Sequence, residues 1–417
     1  MLTNAPKGTK DILPDQVHKW HHVEHAFSQI CAKYGFREIR TPVFEHTELF
    51  VRGVGDTTDI VQKEMYTFQD YAKRNITLRP EGTASVVRSF VEHKLYADVQ
   101  PSKYWYNIDC FRYEKPQSGR QRAFHQFGIE IFGTNSMIAD AEVISLGYDF
   151  LTDMGLADME LRINSIGCPK CRASHRKALR EFLFPKYDEL CDTCKDRYER
   201  NPLRIMDCKS PICQELIHQA PLMIDFLCEE CEQAFEEIQR ELTAMGLQYT
   251  VDSSIVRGLD YYTKTAFEFV TTSEGIQGTV CGGGRYDHLI EELGGPPIPG
   301  VGFGLGIERL ILNMEANGYV FPEVETPEVF IAVIGEKAKF YGLKLVRDLR
   351  AAGIKTEVDS LERNIKGQFK YANRLGAKKT IVIGDDEIAE KKLAIKDMAT
   401  SEQKTVDMDA ILDELTK

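Results

Sequence analysis

The sequence predicts an α+β protein in two parts: a large domain on an antiparallel sheet, interrupted by a helical insertion, and a small C-terminal α/β domain. Residues 104–112 and 122–132 are strand-like runs joined by the turn-rich Glu114-Lys115-Pro116-Gln117-Ser118-Gly119-Arg120, the pattern of an antiparallel hairpin with a long loop. Residues 168–245 are richer in helix formers and charge, and glycine-punctuated strand sequence resumes at Tyr249 and runs to Gly306, so the helical stretch reads as an insertion. After residues 322–327, apolar strands and helices alternate, as in a small α/β unit. A chain of 417 residues is too long for one ordinary core. The expected division is residues 1–322 and 327–417.

Each element has a local cause. Residues 20–34 carry amphipathic periodicity and end at Gly35; residues 36–39 form a short strand stopped by Pro42. Leu78-Arg79-Pro80-Glu81-Gly82-Thr83 follows a strand and precedes a helix over 84–93. Val256-Arg257-Gly258-Leu259-Asp260-Tyr261-Tyr262 is expected to start another strand. In the C-terminal part, residues 329–334 and 380–383 are buried strands, with helices over 343–352 and around Phe369.

A net charge of −12 argues against unselective coating of nucleic acid, which rests on Lys and Arg, but leaves room for a local basic face. No apolar run approaches bilayer-spanning length. The start of the chain is polar and has no apolar signal core, so a cytoplasmic protein without membrane contact is expected. Eight of the eleven cysteines fall between Cys168 and Cys231, which calls for a local explanation, since disulfides are disfavoured in the cytosol.

Several residues look chemical. Alternation puts Gln126, Gly128 and Glu130 on one strand face and Phe127, Ile129 and Ile131 on the other. With Arg112 at the end of the partner strand, three polar groups stand on an otherwise apolar sheet and need partners. They form either an internal Arg112–Glu130 salt bridge or the floor of a polar pocket. Glu81 and Thr83 can together accept hydrogen bonds from a ligand ammonium group, and Thr83 reads equally as a helix N-cap. Glycines in Cys281-Gly282-Gly283-Gly284-Arg285-Tyr286-Asp287 permit close backbone approach to a ligand or serve as turn makers. Gly300, Gly302, Gly304 and Gly306 alternate, leaving one face bare for a flat ring or for a closely packed neighbour. This is not the phosphate-cradling G-x-G-x-x-G pattern. Arg309 follows beside the bare face.

Together these segments resemble the three signature motifs of class II aminoacyl-tRNA synthetases. Pro42 with its flanking helix and strand is similar to the first, usually a dimer-interface element. Phe111-Arg112-Tyr113-Glu114 with its loop and following strand is similar to the second, and the run from Gly302 to Arg309 to the third. The runs Val256 to Tyr262 and Gly283 to Asp287 resemble signatures of the histidyl-tRNA synthetase family, as do Pro6-Lys7-Gly8-Thr9-Lys10-Asp11 and Leu78 to Thr83. The resemblance covers nearly the whole chain.

The resemblance implies a ligase of protein biosynthesis, a homodimer that activates L-histidine with ATP and Mg²⁺ and transfers it to the 3′ end of tRNA(His). Glu81, Gly82, Thr83 and Gln126 would hold the histidine backbone groups. Glu130 and Tyr262, with Tyr261 and Tyr286 nearby, would read the imidazole. Arg112 and Arg257 would hold the α-phosphate of ATP as the catalytic pair, and Arg309 the γ-phosphate, with Arg120 also on ATP. Lys115 and Gln117, with Arg120, would approach the acceptor end of the tRNA. The C-terminal domain resembles an anticodon-binding domain. Arg363, Lys366, Lys370 and Arg374, at helical spacing, would be its tRNA contacts, although such a run is often only a solvated face.

The cysteines stand outside the resemblance. Cys168, Cys171, Cys191 and Cys194 form two C-x₂-C pairs nineteen residues apart, the spacing of a structural Cys₄ zinc site. Cys228 and Cys231 are a third pair, and Cys208 and Cys213 could complete a second site. The plainer reading is reduced thiols packed as small apolar groups. Two competing functions are a catalytically dead paralogue regulating histidine biosynthesis and a zinc-dependent nucleic-acid-binding module. Arg112, Arg257, Arg309 and the C-terminal domain weigh against the first, and the acidic balance against the second.

Overall fold

The computed structural model describes residues 3–416, apart from 57, 157, 209 and 272–277. It divides into Met1–Pro322 and Glu323–Lys417, each with its own core. The first unit is built on eight strands in the order Arg37–Glu38, Ser102–Phe111, Ala123–Phe132, Gly300–Gly306, Gly278–Arg285, Thr263–Thr271, Met159–Ser165 and Thr250–Val251. The six central strands pair antiparallel, and the two short edge strands pair parallel to their neighbours.

Alternation along these strands separates two faces. On one, Phe127, Ile129, Ile131, Phe267, Phe269, Val301, Phe303 and Leu305 meet residues of the helices Val17–Lys33, Met137–Asp153, Glu229–Ala244 and Ile307–Ala316 in the main core. On the other, Tyr104, Tyr106 and Ile108 meet the helix Thr83–Glu92 and the tyrosines Tyr261, Tyr262 and Tyr286. A separate three-stranded sheet, in the order Phe44–His46, Asn75–Leu78, Tyr66–Gln69, leads from Pro42 into that helix.

Two expectations need correction. The run from Val256 to Tyr262 is a loop, and its strand starts at Thr263. Residues 168–245 are helical but do not form one inserted body. The helix Glu229–Ala244 buries Phe235, Ile238 and Leu242 in the main core, because its apolar residues recur on one face turned to the sheet. The excursion proper therefore ends near Cys228. It contains the helices Pro169–Leu183, Asp192–Arg200 and Pro211–Ile217 around a small core of Leu179, Leu183, Leu190, Ile205 and Ala220.

The second unit has three parallel strands, Thr356–Val358, Val329–Val333 and Lys379–Ile383, extended antiparallel by Lys392–Asp397 and Gln403–Asp407. The helices Glu336–Ala351 and Ile365–Arg374 pack on it. No helix among the described residues is long and apolar enough to cross a membrane.

Candidate active site

The floor of the site is a trough of glycines. Sheet register aligns Tyr106, Gly128, Gly304, Gly282 and Glu268 across five strands. A Cβ on Gly128 would collide with the Tyr106 ring, one on Gly304 with the Gln126 amide, and one on Gly282 would lie 2.7 Å from the Arg257 guanidinium. On the neighbouring row a Cβ on Gly302 would strike the Glu130 carboxylate and the Ile129 carbonyl. The alternating glycines thus make room for the protein's own polar side chains, not for a ring laid on a bare strand.

Gln126, Arg257, Glu268, Gly282 and Gly304 line a cavity of about 620 Å³. Glu81 and Thr83 stand at the start of the helix Thr83–Glu92. The Glu81 carboxylate accepts hydrogen bonds from the backbone N–H groups of Thr83 and Ala84, both at 2.8 Å, and so caps the helix itself. Thr83 does not act as the N-cap; that position is Gly82, packed on Tyr106. The Thr83 hydroxyl instead donates to Glu130 at 2.7 Å. Tyr106 donates to the same oxygen at 3.1 Å, and Tyr286 to the other. Glu130 is fully buried beneath this floor. Burial pushes its carboxyl up to about 8, against the opposing hydrogen bonds from Tyr286, Thr83 and Tyr106. Burial raises the Glu81 carboxyl as well.

The anticipated Arg112–Glu130 salt bridge does not form. Arg112 donates from Nε to the Pro80 carbonyl at 2.8 Å and lies 3.8 Å from Glu114, because its strand ends at Phe111 and the side chain turns into the cavity. Arg257 pairs with Glu268 and stacks over Tyr262 at 5.3 Å, and its Nε is buried with no hydrogen-bond partner among the described residues. Arg309 donates to the Thr279 carbonyl at 2.6 Å; burial and the nearby Arg120 lower its basicity. Arg120, Gln117, Gln126, Tyr261 and Tyr262 also line the cavity. Arg112, Arg257, Arg309 and Arg120 therefore line one space together with Glu81 and Thr83.

Lys115 is exposed on the 112–122 loop. Tyr286 is buried, with its ring 5.4 Å from Tyr261. Its neighbour Arg285 does not reach the cavity: fully buried, it pairs with Asp140 and donates to the Thr134 and Ser136 carbonyls. That anchor holds Tyr286 in place. In the second unit Lys366, Lys370 and Arg374 lie exposed on one face of the helix Ile365–Arg374. Arg363 precedes the helix and is committed to Asp359, so the structure separates it from the other three.

Three residues of the site escaped the sequence reading. Glu268 binds Arg257 through one oxygen and the Thr279 hydroxyl through the other, at 2.6 Å for the latter. A lone glutamate in the apolar strand Thr263–Thr271 was the available signal. Tyr106 fills the space over Gly128, and its alternation with Tyr104 and Ile108 was the signal there. Arg204, from the inserted helices, donates to the Gly258 carbonyl at 3.0 Å and to Asp260 at 2.8 Å; nothing in the sequence marked it.

The cysteine grouping also differs from the spacing argument. Cys168 and Cys171 meet Cys228 and Cys231, while Cys191 and Cys194 meet Cys208 and Cys213. The set Cys168, Cys171, Cys191 and Cys194 is not one site, because the fifteen-residue helix Pro169–Leu183 carries the chain away between its two pairs.

Residues 8–172 and 217–310 match the histidyl-tRNA synthetase family, and residues 328–417 match the anticodon binding domain family. The chain is 57% identical over 411 residues to the histidine–tRNA ligase of Caldanaerobacter subterraneus, with 99% of each chain covered. It is 53% identical over 416 residues to that of Clostridioides difficile, covering 100% of this chain and 99% of the relative. The crystal structure of apo Staphylococcus aureus histidyl-tRNA synthetase superposes with a TM-score of 0.85 at 41% identity, covering 99% of this chain and 100% of that one. The large sheet with its helices and the C-terminal anticodon-binding domain form the class II synthetase fold. By motif, fold and full-length identity, this chain belongs to the histidyl-tRNA synthetase family.

Proposed function

We propose that this chain is a histidine–tRNA ligase, which activates L-histidine with ATP and transfers it to tRNA(His). The observation that carries the reading is the cavity itself: four arginines share one space with a carboxylate and a hydroxyl, and the buried Arg257 Nε has no hydrogen-bond partner among the described residues. The amino group of histidine fits the acceptors of Glu81, Thr83 and Gln126, with Gly82 leaving room for the Tyr106 ring. The imidazole fits among Tyr261, Tyr262 and Tyr286, over Glu130. In activation a histidine carboxylate oxygen forms a bond to the α-phosphorus as the bond to pyrophosphate breaks. Negative charge on the α-phosphoryl oxygens grows during that attack, and Arg112 and Arg257, held in advance by Pro80 and Glu268, meet it without reorganising. Arg309 and Arg120 hold the outer phosphates. A terminal ribose hydroxyl of the tRNA, the 3′-OH, then attacks the adenylate carbonyl and AMP leaves.

Mg²⁺ binds through one or two carboxylates together with substrate phosphates and water, and it would neutralise phosphate charge here. Of the two cavity carboxylates, Glu268 would hold it through oxygens that also accept from Arg257 and Thr279. Residues 1–322 are the catalytic domain on this reading and 327–417 the anticodon-binding domain, with Lys115 and Gln117 facing the acceptor end. A homodimer is supported by the exposed Phe44 and Phe68 on the three-stranded sheet beside Pro42. A cytoplasmic setting is supported by eleven free cysteines.

Pyrophosphate exchange tests the reading, with each amino acid offered in turn. Exchange should depend on histidine, and Arg257→Ala should lower it by roughly 10²–10³ while the circular dichroism spectrum stays native. Near-normal exchange by the folded variant would remove Arg257 from the mechanism. Exchange with another amino acid would overturn the substrate.

A further inference from the structure

The family match omits residues 173–216, and the catalytic reading uses none of the eight clustered cysteines. In each group of four the sulfur atoms lie within 4.8 Å of one another. Individual separations are 3.5 Å for Cys168–Cys171, 3.9 Å for Cys168–Cys228 and 3.8 Å for Cys191–Cys208. A zinc–sulfur bond of about 2.3 Å puts tetrahedral sulfurs about 3.8 Å apart. Disulfides need about 2.05 Å, and all eleven cysteines are free. The spread suits a single ion; an iron–sulfur cluster needs its ligands farther apart.

We propose that this chain carries two structural zinc ions, a neck site of Cys168, Cys171, Cys228 and Cys231 and a tip site of Cys191, Cys194, Cys208 and Cys213.

Local structure gathers the sulfurs at helix starts. Cys168, Cys191 and Cys228 are the N-caps of the helices Pro169–Leu183, Asp192–Arg200 and Glu229–Ala244, and Cys171, Cys194 and Cys231 sit in their first turns. Six sulfurs thus lie at the positive ends of helix dipoles. Backbone N–H groups point at sulfur as well: Cys228 to Cys171 at 3.1 Å, Cys191 to Cys213 at 3.3 Å and Ser210 to Cys208 at 3.4 Å.

The two sites have different tasks. The neck site ties the point where the excursion leaves the main domain to the helix that returns into its core. The tip site closes residues 191–213 over a core of only a few aliphatic side chains, which is too small to hold itself together without a staple. The same tip bears Arg204, whose bonds to Gly258 and Asp260 brace the loop that carries Arg257. Four cysteine ligands leave no open coordination position, so neither ion takes part in the chemistry.

Metal analysis of the full chain, purified without chelator, should find two zinc ions per chain. Cys208→Ser and Cys228→Ser should each leave one, and only the former should open the tip alone to limited proteolysis. Should either variant fail to fold, the wild-type protein supplies the second measurement. Two equivalents of zinc should be released on thiol modification, and two equivalents of Co²⁺ should restore the absorption of tetrahedral cobalt thiolates. Fewer than two zinc ions in protein whose excursion resists protease, iron in place of zinc, or an octahedral cobalt spectrum would each overturn the proposal.

Discussion

Glu130 forms no ion pair among the described residues; three hydroxyls hold it in place in a fully buried position. Alternation along the strand pointed to it and to its face, since the period of two places Glu130 with Gln126 and away from Phe127 and Ile129. Alternation could not say that its hydrogen-bond capacity is met from inside, because Thr83 and Tyr286 arrive from distant segments. The buried carboxyl makes a pH prediction. The folded state binds the Glu130 proton up to about pH 8, whereas the unfolded chain releases it near 4.5. Between those values the folded state holds more protons than the unfolded one, so stability contributed at Glu130 is lost as pH rises through the window. The wild-type melting temperature should therefore fall from pH 5 towards about 8 by more than that of Glu130→Gln, whose amide does not titrate. Parallel melting curves for the two proteins would show that Glu130 ionises freely. Added histidine should narrow the difference, because an imidazole N–H gives the carboxylate a donor.

At the scale of elements, the glycines of the strand Gly300–Gly306 were legible as a bare face, but their purpose was not, because the occupants come from neighbouring strands and a loop. The same limitation explains the loop from Val256 to Tyr262: its tyrosines suggest a strand, yet they pack against Tyr286 instead of pairing. The helix Met137–Asp153 has no amphipathic stripe to read, because it is buried on several sides, from Ala139 and Ala141 to Leu146 and Leu151. The glycine trough makes a paired prediction. An added Cβ on Gly302 would meet the Ile129 carbonyl, which is backbone and cannot yield. Gly302→Ala should then lower stability by about 1–3 kcal/mol in denaturant unfolding, as overpacking does. On Gly304 the added methyl meets only the Gln126 side chain, which can swing away. Gly304→Ala should unfold near the wild-type midpoint and yet raise the histidine KM in pyrophosphate exchange, with the ATP KM little changed. Equal stability losses in the two variants would mean that the trough is rigid throughout and that Gln126 has no separate role.

For the molecule as a whole, the sequence made the division of labour visible through composition. Strand-and-helix alternation marked the second unit, and the run of cations in it survives in part as Lys366, Lys370 and Arg374 on one exposed helix face. Spacing alone could not show that Arg363 would be drawn off to Asp359, four residues before it, since that contact forms in the turn preceding the helix. The remaining three have no carboxylate partner among the ion pairs of the described residues. In a chain of net charge −12, three cations in a row that are not tied up in ion pairs are the kind of surface on which a phosphate backbone can settle. Replacing all three by alanine should leave histidine-dependent pyrophosphate exchange intact, because the proposed function assigns activation to the cavity of the first unit. Charging of tRNA should fall, mainly through a higher KM for tRNA. Each cation that neutralises a phosphate releases counterions on binding. A plot of log kcat/KM for tRNA against log salt should therefore flatten by roughly 0.7–0.9 per cation removed. Arg363→Ala, made separately, should change the salt slope little and act chiefly on stability through Asp359. If the triple variant charges tRNA with the wild-type salt dependence, the face is a solvated surface and the tRNA grip lies elsewhere on the unit.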